Sequence, residues 1–223
     1  MQFDAVLFDL DGTLLDTLQD LADAVNTALE QAGFPIHPVD AYRYFVGSGA
    51  LTLVTRALPA DERNDSNIRA CLRGFQEAYA RNWRDNTAPY DGVGSMLDGV
   101  AELGIPMAVL SNKPDLFTRQ CVATLLPAHQ FVCVFGQREG MPPKPDPAGA
   151  LDIADRLRIP LHRWLYLGDS GIDMKTAAAT GMFGVGATWG FRTEDELRAN
   201  GARDVIHHPR DLLELFEPLE PHR

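Results

Sequence analysis

Six short apolar runs punctuate the sequence: AVLFD (5–9), PMAVLS (106–111), FVCVFG (131–136), WLYLG (164–168), FGVGA (183–187) and DVIH (204–207). From the second run onward they alternate with amphipathic patterns at 114–126, 147–157, 171–180 and 193–200, and a last one follows at 209–216. Apolar strands alternating with helices of this length leave few architectures open. They call for a parallel sheet, joined by right-handed crossovers and covered by helices on both faces. The expected fold is therefore α/β, doubly wound, mainly parallel and Rossmann-like. One interval breaks the alternation: residues 10–105 carry little strand signal.

That interval reads as helical. Leu18, Leu21, Ala22, Val25, Ala28 and Leu29 recur at helical spacing, and Thr17 and Asp20 have the spacing of a capping box. Gly33 and Pro35 predict the stop. Further helices fit 38–46, 50–58 and 61–84, and one at 93–103 returns the chain to the sheet. The expected organisation is a core of residues 1–15 and 89–223 with a helical cap, 16–88, inserted over the carboxyl edge of the sheet. Ligands bind at that edge in open α/β folds.

Composition excludes several partner classes. A formal net charge of -11 and a pI near 4.9 argue against nucleic acid and anionic membranes. No apolar run approaches the roughly 18 residues of a membrane span, and the three cysteines lack metal-site or disulfide spacing. Cys133 is expected to be a small core residue. A cytoplasmic monomer or homodimer is the expectation. Any anionic substrate would need a local cationic site, and the chain has three lysines: Lys113, Lys144 and Lys175.

The chemistry gathers at strand ends. Asp9 and Asp11 end the first run, two positions apart, so their side chains are expected on one face. Ser111 ends the second run, Lys144 lies beyond the third and Asp169 ends the fourth. Parallel strands bring these ends to one edge. Three carboxylates, a hydroxyl and an ammonium in one cleft are electrically consistent if a hard divalent cation binds Asp9 and Asp169 while Lys144 offsets the remaining charge. Mg²⁺ fits such a site because it binds through one or two carboxylates, keeps waters and pairs with phosphate.

DLDGTLLDT (9–17), LSNK (110–113), KPDP (144–147) and GDSGID (168–173), in this order, resemble the four motifs of the haloacid dehalogenase superfamily phosphatases. Within that superfamily, YFVGSGALTLVTRAL (44–58) and the stretch ending YARNWRDNTAPYDGV are similar to the cap of phosphoglycolate phosphatases. The resemblance implies hydrolysis of a small phosphorylated metabolite through an aspartyl-phosphate on Asp9, with Asp11 as general acid and then base. It implies Mg²⁺ held by Asp9, Asp169 and the backbone carbonyl of Asp11, with Asp173 orienting the metal or its waters. It further implies that Ser111 and the Asp11, Gly12 and Asn112 amides hold phosphoryl oxygens, with Lys144 neutralising charge.

Related chemistries are narrowed by what stands at key positions. Dehalogenases of the superfamily lack the second aspartate and its transport ATPases carry Thr there, whereas this chain has Asp11. Its phosphonate-cleaving members need a cap lysine, and residues 1–112 contain none. Pyrophosphatase, sugar-phosphate phosphatase and phosphoglucomutase-like activities stay open, as does a non-catalytic phosphoacceptor module. Gly47 and Gly49 read equally as a turn or a substrate-facing loop, and Lys113 as reaching a substrate carboxylate or solvent. Arg43 and Arg56 read as solvated cap cations, and Asp16 as helix-start electrostatics. Trp83, Trp164 and Trp189 read as core, and His207–His208 as a surface turn.

Overall fold

The computed structural model describes residues 3–216. Eight strands, β1 (Ala5–Phe8), β2 (Leu15–Asp16), β3 (Ala88–Pro89), β4 (Met107–Pro114), β5 (Cys133–Gln137), β6 (Trp164–Gly168), β7 (Phe183–Ala187) and β8 (Asp204–Ile206), form two sheets. Six of them make one sheet in the order β5-β4-β1-β6-β7-β8, every neighbouring pair parallel. The order runs outward in both directions from β1, so the crevice between β1 and β6 is the switch point of a doubly wound sheet. No helix among the described residues is long and apolar enough to cross a membrane.

The central strand segments 5–8, 107–110 and 164–167 are largely apolar because both faces are covered. Val6 and Phe8 of β1 join one core cluster and Ala5 and Leu7 the other. The same alternation divides Met107 and Val109 from Ala108 and Leu110, and Leu165 and Leu167 from Trp164 and Tyr166. Helix α5 (Val93–Glu102), α6 (Asp115–Leu125) and the closing turn Pro209–Phe216 cover the first face, and α7 (Ala148–Leu157) with α8 (Gly171–Thr180) the second. Helix α9 (Glu194–Ala199) packs Leu197 against Met174 and Val205 at the β8 end. Trp83 and Trp164 are buried as expected, while Trp189 is half-buried with its indole N–H donating to the Thr13 carbonyl at 2.9 Å. Cys133 is likewise half-buried, packed at the edge of the second cluster.

Between β1 and β4 the chain is helical: α1 (Leu18–Gln31), α2 (Tyr42–Phe45), α3 (Ala50–Ala57) and α4 (Asp65–Asn82). Its apolar interior, from Leu21, Val25 and Leu29 of α1 to Phe75 and Tyr79 of α4, is continuous with the first sheet cluster. Two expected helices are shorter than their periodicity implied. The 38–46 segment begins as a 3₁₀ turn, Val39–Ala41, and 61–84 is interrupted where Asn64 caps α4 by accepting from the Ser66 and Asn67 amides. The 209–216 segment is a 3₁₀ helix, though it buries the expected apolar side, Pro209, Leu212 and Phe216.

The strands β2 and β3 pair antiparallel, Leu15 with Pro89 and Asp16 with Ala88, and so draw together the points where the chain leaves and re-enters the sheet region. Asp20 seals that crossing. The capping box expected with Thr17 does not form: Thr17 makes no side-chain cap, and Asp16 instead accepts from the Leu18 amide at 3.3 Å. The fully buried Asp20 carboxylate is turned to the return strand, where the Asn86 and Thr87 amides, the Asn86 side chain and the Thr87 hydroxyl all donate to it. Hydrogen bonds to a buried charge are the strong kind, and removing the acceptor strands every donor at once. Asp20→Ala is expected to cost about 3 kcal/mol in urea unfolding, whereas Thr17→Ala, which removes no hydrogen bond, should cost about 1 kcal/mol or less.

Candidate active site

Asp9 follows β1, Ser111 to Lys113 lie in the irregular end of β4, Lys144 precedes α7, Asp169 follows β6 and Asp173 sits in the first turn of α8. All of them meet at the carboxyl edge of the sheet. Asp9, Asp11, Ser111, Asn112, Lys113, Lys144, Asp173 and Gly47 line one cavity of about 190 Å³, which helices α1, α3 and α4 wall from the other side with Leu21, Leu53, Phe75 and Tyr79. Gly12 and Asp169 pack just behind that lining. Gly12 has a left-handed backbone (φ 90°), and a Cβ there would fall 2.3 Å from Asp169 Oδ2.

Lys144 is the centre of charge. Its buried ammonium donates to the Leu110 carbonyl at 2.9 Å and lies 2.8 Å from Asp9 Oδ1 and 2.7 Å from Asp173 Oδ1. Three acceptors saturate the three N–H donors of an ammonium. Burial alone would lower the Lys144 pKa, but Asp173 and Asp9 outweigh it and hold the group well above the ordinary lysine value. Asp173 is itself fixed by the Ser170 hydroxyl at 2.5 Å, the Ser170 amide at 3.2 Å and the Tyr166 hydroxyl at 3.2 Å. The capping box of the chain is therefore at Ser170–Asp173, at the head of α8.

Asp9 and Asp11 do not share a counterion. The strand ends at Phe8, and whereas Asp9 reaches Lys144, Asp11 Oδ1 accepts from Lys113 Nζ at 2.9 Å. Lys113 is thus not in solvent: its side chain is 3% exposed and its ammonium lies 4.7 Å from the centre of the Tyr79 ring. Burial pulls the Lys113 ammonium down, and Asp11 and Tyr79 overcome that and leave it raised. The two buried lysines of the chain each hold one aspartate of the DLD motif, and the third, Lys175, is exposed on α8.

Asn112 clamps the rim. Its amide donates to the Gly47 and Lys144 carbonyls, both at 2.9 Å, and accepts from the Lys144 amide at 2.8 Å. Its side chain is thereby committed, which leaves the backbone for the cavity. Ser111 Oγ accepts from the Lys113 amide at 3.2 Å and retains its own proton to donate. Gly47 and Gly49 both have left-handed backbones and both line the cavity, so one segment both makes the turn and faces the cavity. Arg43 and Arg56 are not free surface cations: Arg43 donates to the Gly190 carbonyl at 3.0 Å, and Arg56 to the Tyr44 and Phe45 carbonyls, each at 3.2 Å.

The acidic cluster suits a divalent cation. Carboxylate oxygens of Asp9, Asp169 and Asp173 lie within 4.8 Å of one another, all buried. Three carboxylates against the single Lys144 ammonium leave two formal negative charges unmatched, the charge of one hard dication. Burial, then Asp173, raises Asp9 well above the usual carboxylate range against the opposing pull of Lys144, and the same two causes push Asp169 up to about 7. Asp169 is oriented by the Phe191 amide at 2.7 Å and the Thr13 hydroxyl at 3.3 Å. Ser170, Tyr166, Tyr79 and Phe191 belong to the site without having been singled out from sequence. Ser170 could have been found from its capping spacing to Asp173, whereas Phe191 acts through its backbone and carries no residue-type signal.

The family model for haloacid dehalogenase-like hydrolases matches residues 6–187. A phosphoglycolate phosphatase of Pseudomonas putida is 34% identical over 212 residues, 93% of this chain and 78% of that protein. One from Neisseria meningitidis is 32% identical over 223 residues, covering 98% of this chain and 94% of its own length. Among solved structures, a provisional phosphoglycolate phosphatase of Lactobacillus delbrueckii superposes with a TM-score of 0.91 at 30% identity, over 96% of this chain and 98% of that one.

The raised Asp169 makes the metal-free protein lose stability with alkali. Between its ordinary value near 3.8 and about 7, the folded chain holds a proton that the unfolded chain has lost. Stability therefore falls as pH rises through that window, by on the order of a few kcal/mol. Chemical denaturation in EDTA at stepped pH should show the decline, and Asp169→Asn should reduce it without abolishing it, since Asp9 is raised by the same causes.

Proposed function

The chain belongs to the haloacid dehalogenase-like hydrolases, and from that premise we propose that it is a Mg²⁺-dependent phosphomonoesterase acting on a small phosphorylated metabolite, 2-phosphoglycolate first among the candidates. The observation that carries the reading is the Asp9–Asp169–Asp173 cluster, two charges short of neutrality, at the end of a cavity that also holds Asp11. The printed activity of the relatives from Pseudomonas putida and Neisseria meningitidis supports the substrate. The helices between β2 and β3, residues 16–88, act as a cap on a core of residues 1–15 and 89–223, whose ends 1–2 and 217–223 lie outside the described residues, since the cavity is walled from both sides.

Asp9 Oδ1 is occupied by Lys144 and by the Leu10 amide at 2.7 Å, which leaves Oδ2 as the nucleophile. Attack on phosphorus forms the aspartyl-phosphate as the ester bond breaks, and Asp11 gives its proton to the leaving alkoxide. Asp11 then takes a proton from water as that water attacks phosphorus, which releases phosphate and restores Asp9. Ser111 and the Asp11 and Asn112 amides hold phosphoryl oxygens, whereas the expected Gly12 amide is committed to the Leu15 carbonyl at 2.9 Å, and Lys144 keeps Asp9 in place while offsetting charge. Asp9, Asp169, Asp173 and the Asp11 backbone carbonyl would hold Mg²⁺, which when bound supplies the positive charge that lets a carboxylate approach a phosphate dianion.

Purified protein with Mg²⁺ and a panel of phosphorylated metabolites should release phosphate, with 2-phosphoglycolate turned over best. Release equal to that of Asp9→Asn or of an EDTA control across the panel would defeat the reading. Asp11→Asn should slow turnover by at least about 100-fold yet leave Mg²⁺ binding, read by calorimetry, close to wild type, because its side chain is not among the ligands.

A further inference from the structure

The two buried lysines differ in one respect. Lys144 has three acceptors, whereas the single acceptor in hydrogen-bond geometry with Lys113 Nζ among the described residues is Asp11 Oδ1. The Tyr79 hydroxyl also bears on the Lys113 ammonium, which leaves at least one N–H donor without an acceptor among the described residues, although the side chain is 3% exposed and the residue lines the cavity. A buried charged donor without a partner is costly, so such a group marks a place where a ligand completes the set. The Tyr79 ring seats the ammonium from α4, and Phe75 and Phe117 pack on that ring at 5.5 and 5.2 Å between centroids. An ammonium between a carboxylate and an aromatic face is fixed in position while its other donors stay open.

We infer that Lys113, seated by Tyr79, selects substrates that carry a carboxylate beside the phosphate ester. The inference rests on the phosphomonoesterase reading and adds to it the residue that discriminates among esters. Asp11 must come within hydrogen-bond reach of the ester oxygen to protonate it. Lys113 Nζ is one hydrogen bond of 2.9 Å beyond Asp11, hence within roughly 6 Å of that oxygen. A carboxylate whose carbon is two bonds from the ester oxygen falls inside this range, and it is an acceptor for the open N–H donors. Of the neighbouring helix residues that line the cavity, Leu21, Leu53 and Phe75 carry no donor and Gln76 offers a neutral amide, so Lys113 is the charged one. A neutral alcohol of the same size leaves the ammonium unsatisfied, and that asymmetry is the source of discrimination. Lys113 is the specificity-determining group and Tyr79 a positioning residue acting through it.

The experiment compares kcat/KM for 2-phosphoglycolate with that for ethyl phosphate, which has the same carbon count and no carboxylate. Wild type should prefer 2-phosphoglycolate by roughly 10- to 100-fold, the effect of one hydrogen bond to a charged group. Lys113→Met should bring the ratio to within about threefold of unity, whatever its absolute rate. Tyr79→Leu, which removes ring and hydroxyl, should lower the ratio more than Tyr79→Phe, which keeps the ring. Equal turnover of both esters by wild type, or an unchanged ratio in Lys113→Met, overturns the inference and leaves the phosphomonoesterase reading standing; turnover of neither overturns both. Should Lys113→Met fail to fold, wild type alone decides: glycolate must inhibit ethyl phosphate hydrolysis more strongly than ethylene glycol does, and equal inhibition refutes the assignment.

Discussion

The Lys144 ammonium, enclosed by Asp9, Asp173 and the Leu110 carbonyl, is the contact on which the architecture of the site depends. It ties together β1, β4, the loop before α7 and the head of α8, four segments far apart in sequence. Removing one member of such a buried set leaves an uncompensated charge, a loss of several kcal/mol. The strands can therefore carry carboxylates at their ends without repelling one another apart. The lysine supplies only part of the balance, and what is left over is the two-charge deficit that suits a dication.

A second buried lysine repeats the device with a different result. Lys113 is held by Asp11 and by the face of Tyr79, so its environment comes half from the sheet and half from the helical segment. Further links cross the same boundary: Asn112 to the Gly47 carbonyl, Arg43 to the Gly190 carbonyl and Arg192 to the Val46 carbonyl. Gly190 and Arg192 flank Phe191, whose amide orients Asp169. The helices thus rest on the same loop that positions a member of the acidic cluster. Asp20 holds the return strand at the base of those helices, which sets where they can sit.

Much of this was legible in the residues. The alternation of strands and helices predicted the parallel sheet, because a strand segment buried on both faces must be apolar, as 5–8 of β1, 107–110 of β4 and 164–167 of β6 largely are. The gathering of Asp9, Asp11, Ser111, Lys144 and Asp169 followed from parallel strand ends sharing an edge. Other readings failed for definite reasons. Thr17 and Asp20 have the spacing of a cap, but a fully buried carboxylate finds more donors on the Asn86–Thr87 segment before β3 than on its own helix. Arg43 and Arg56 look like solvated cations until backbone carbonyls of folded loops come within their reach.

What the sequence by itself determined is the set of reacting groups and the order in which a doubly wound sheet must present them. Local periodicity and strand-end placement depend on neighbours in the chain, and those are written in order. What only the tertiary structure decided is which charge answers which. Lys144 and Lys113 are both close to strand ends and chemically alike, yet one is saturated by three acceptors and the other is left with donors to spare. That difference arises from distances between segments 29 or more residues apart, and electrostatics in a dry interior is decided by distance and by the count of partners, neither of which is a property of sequence position.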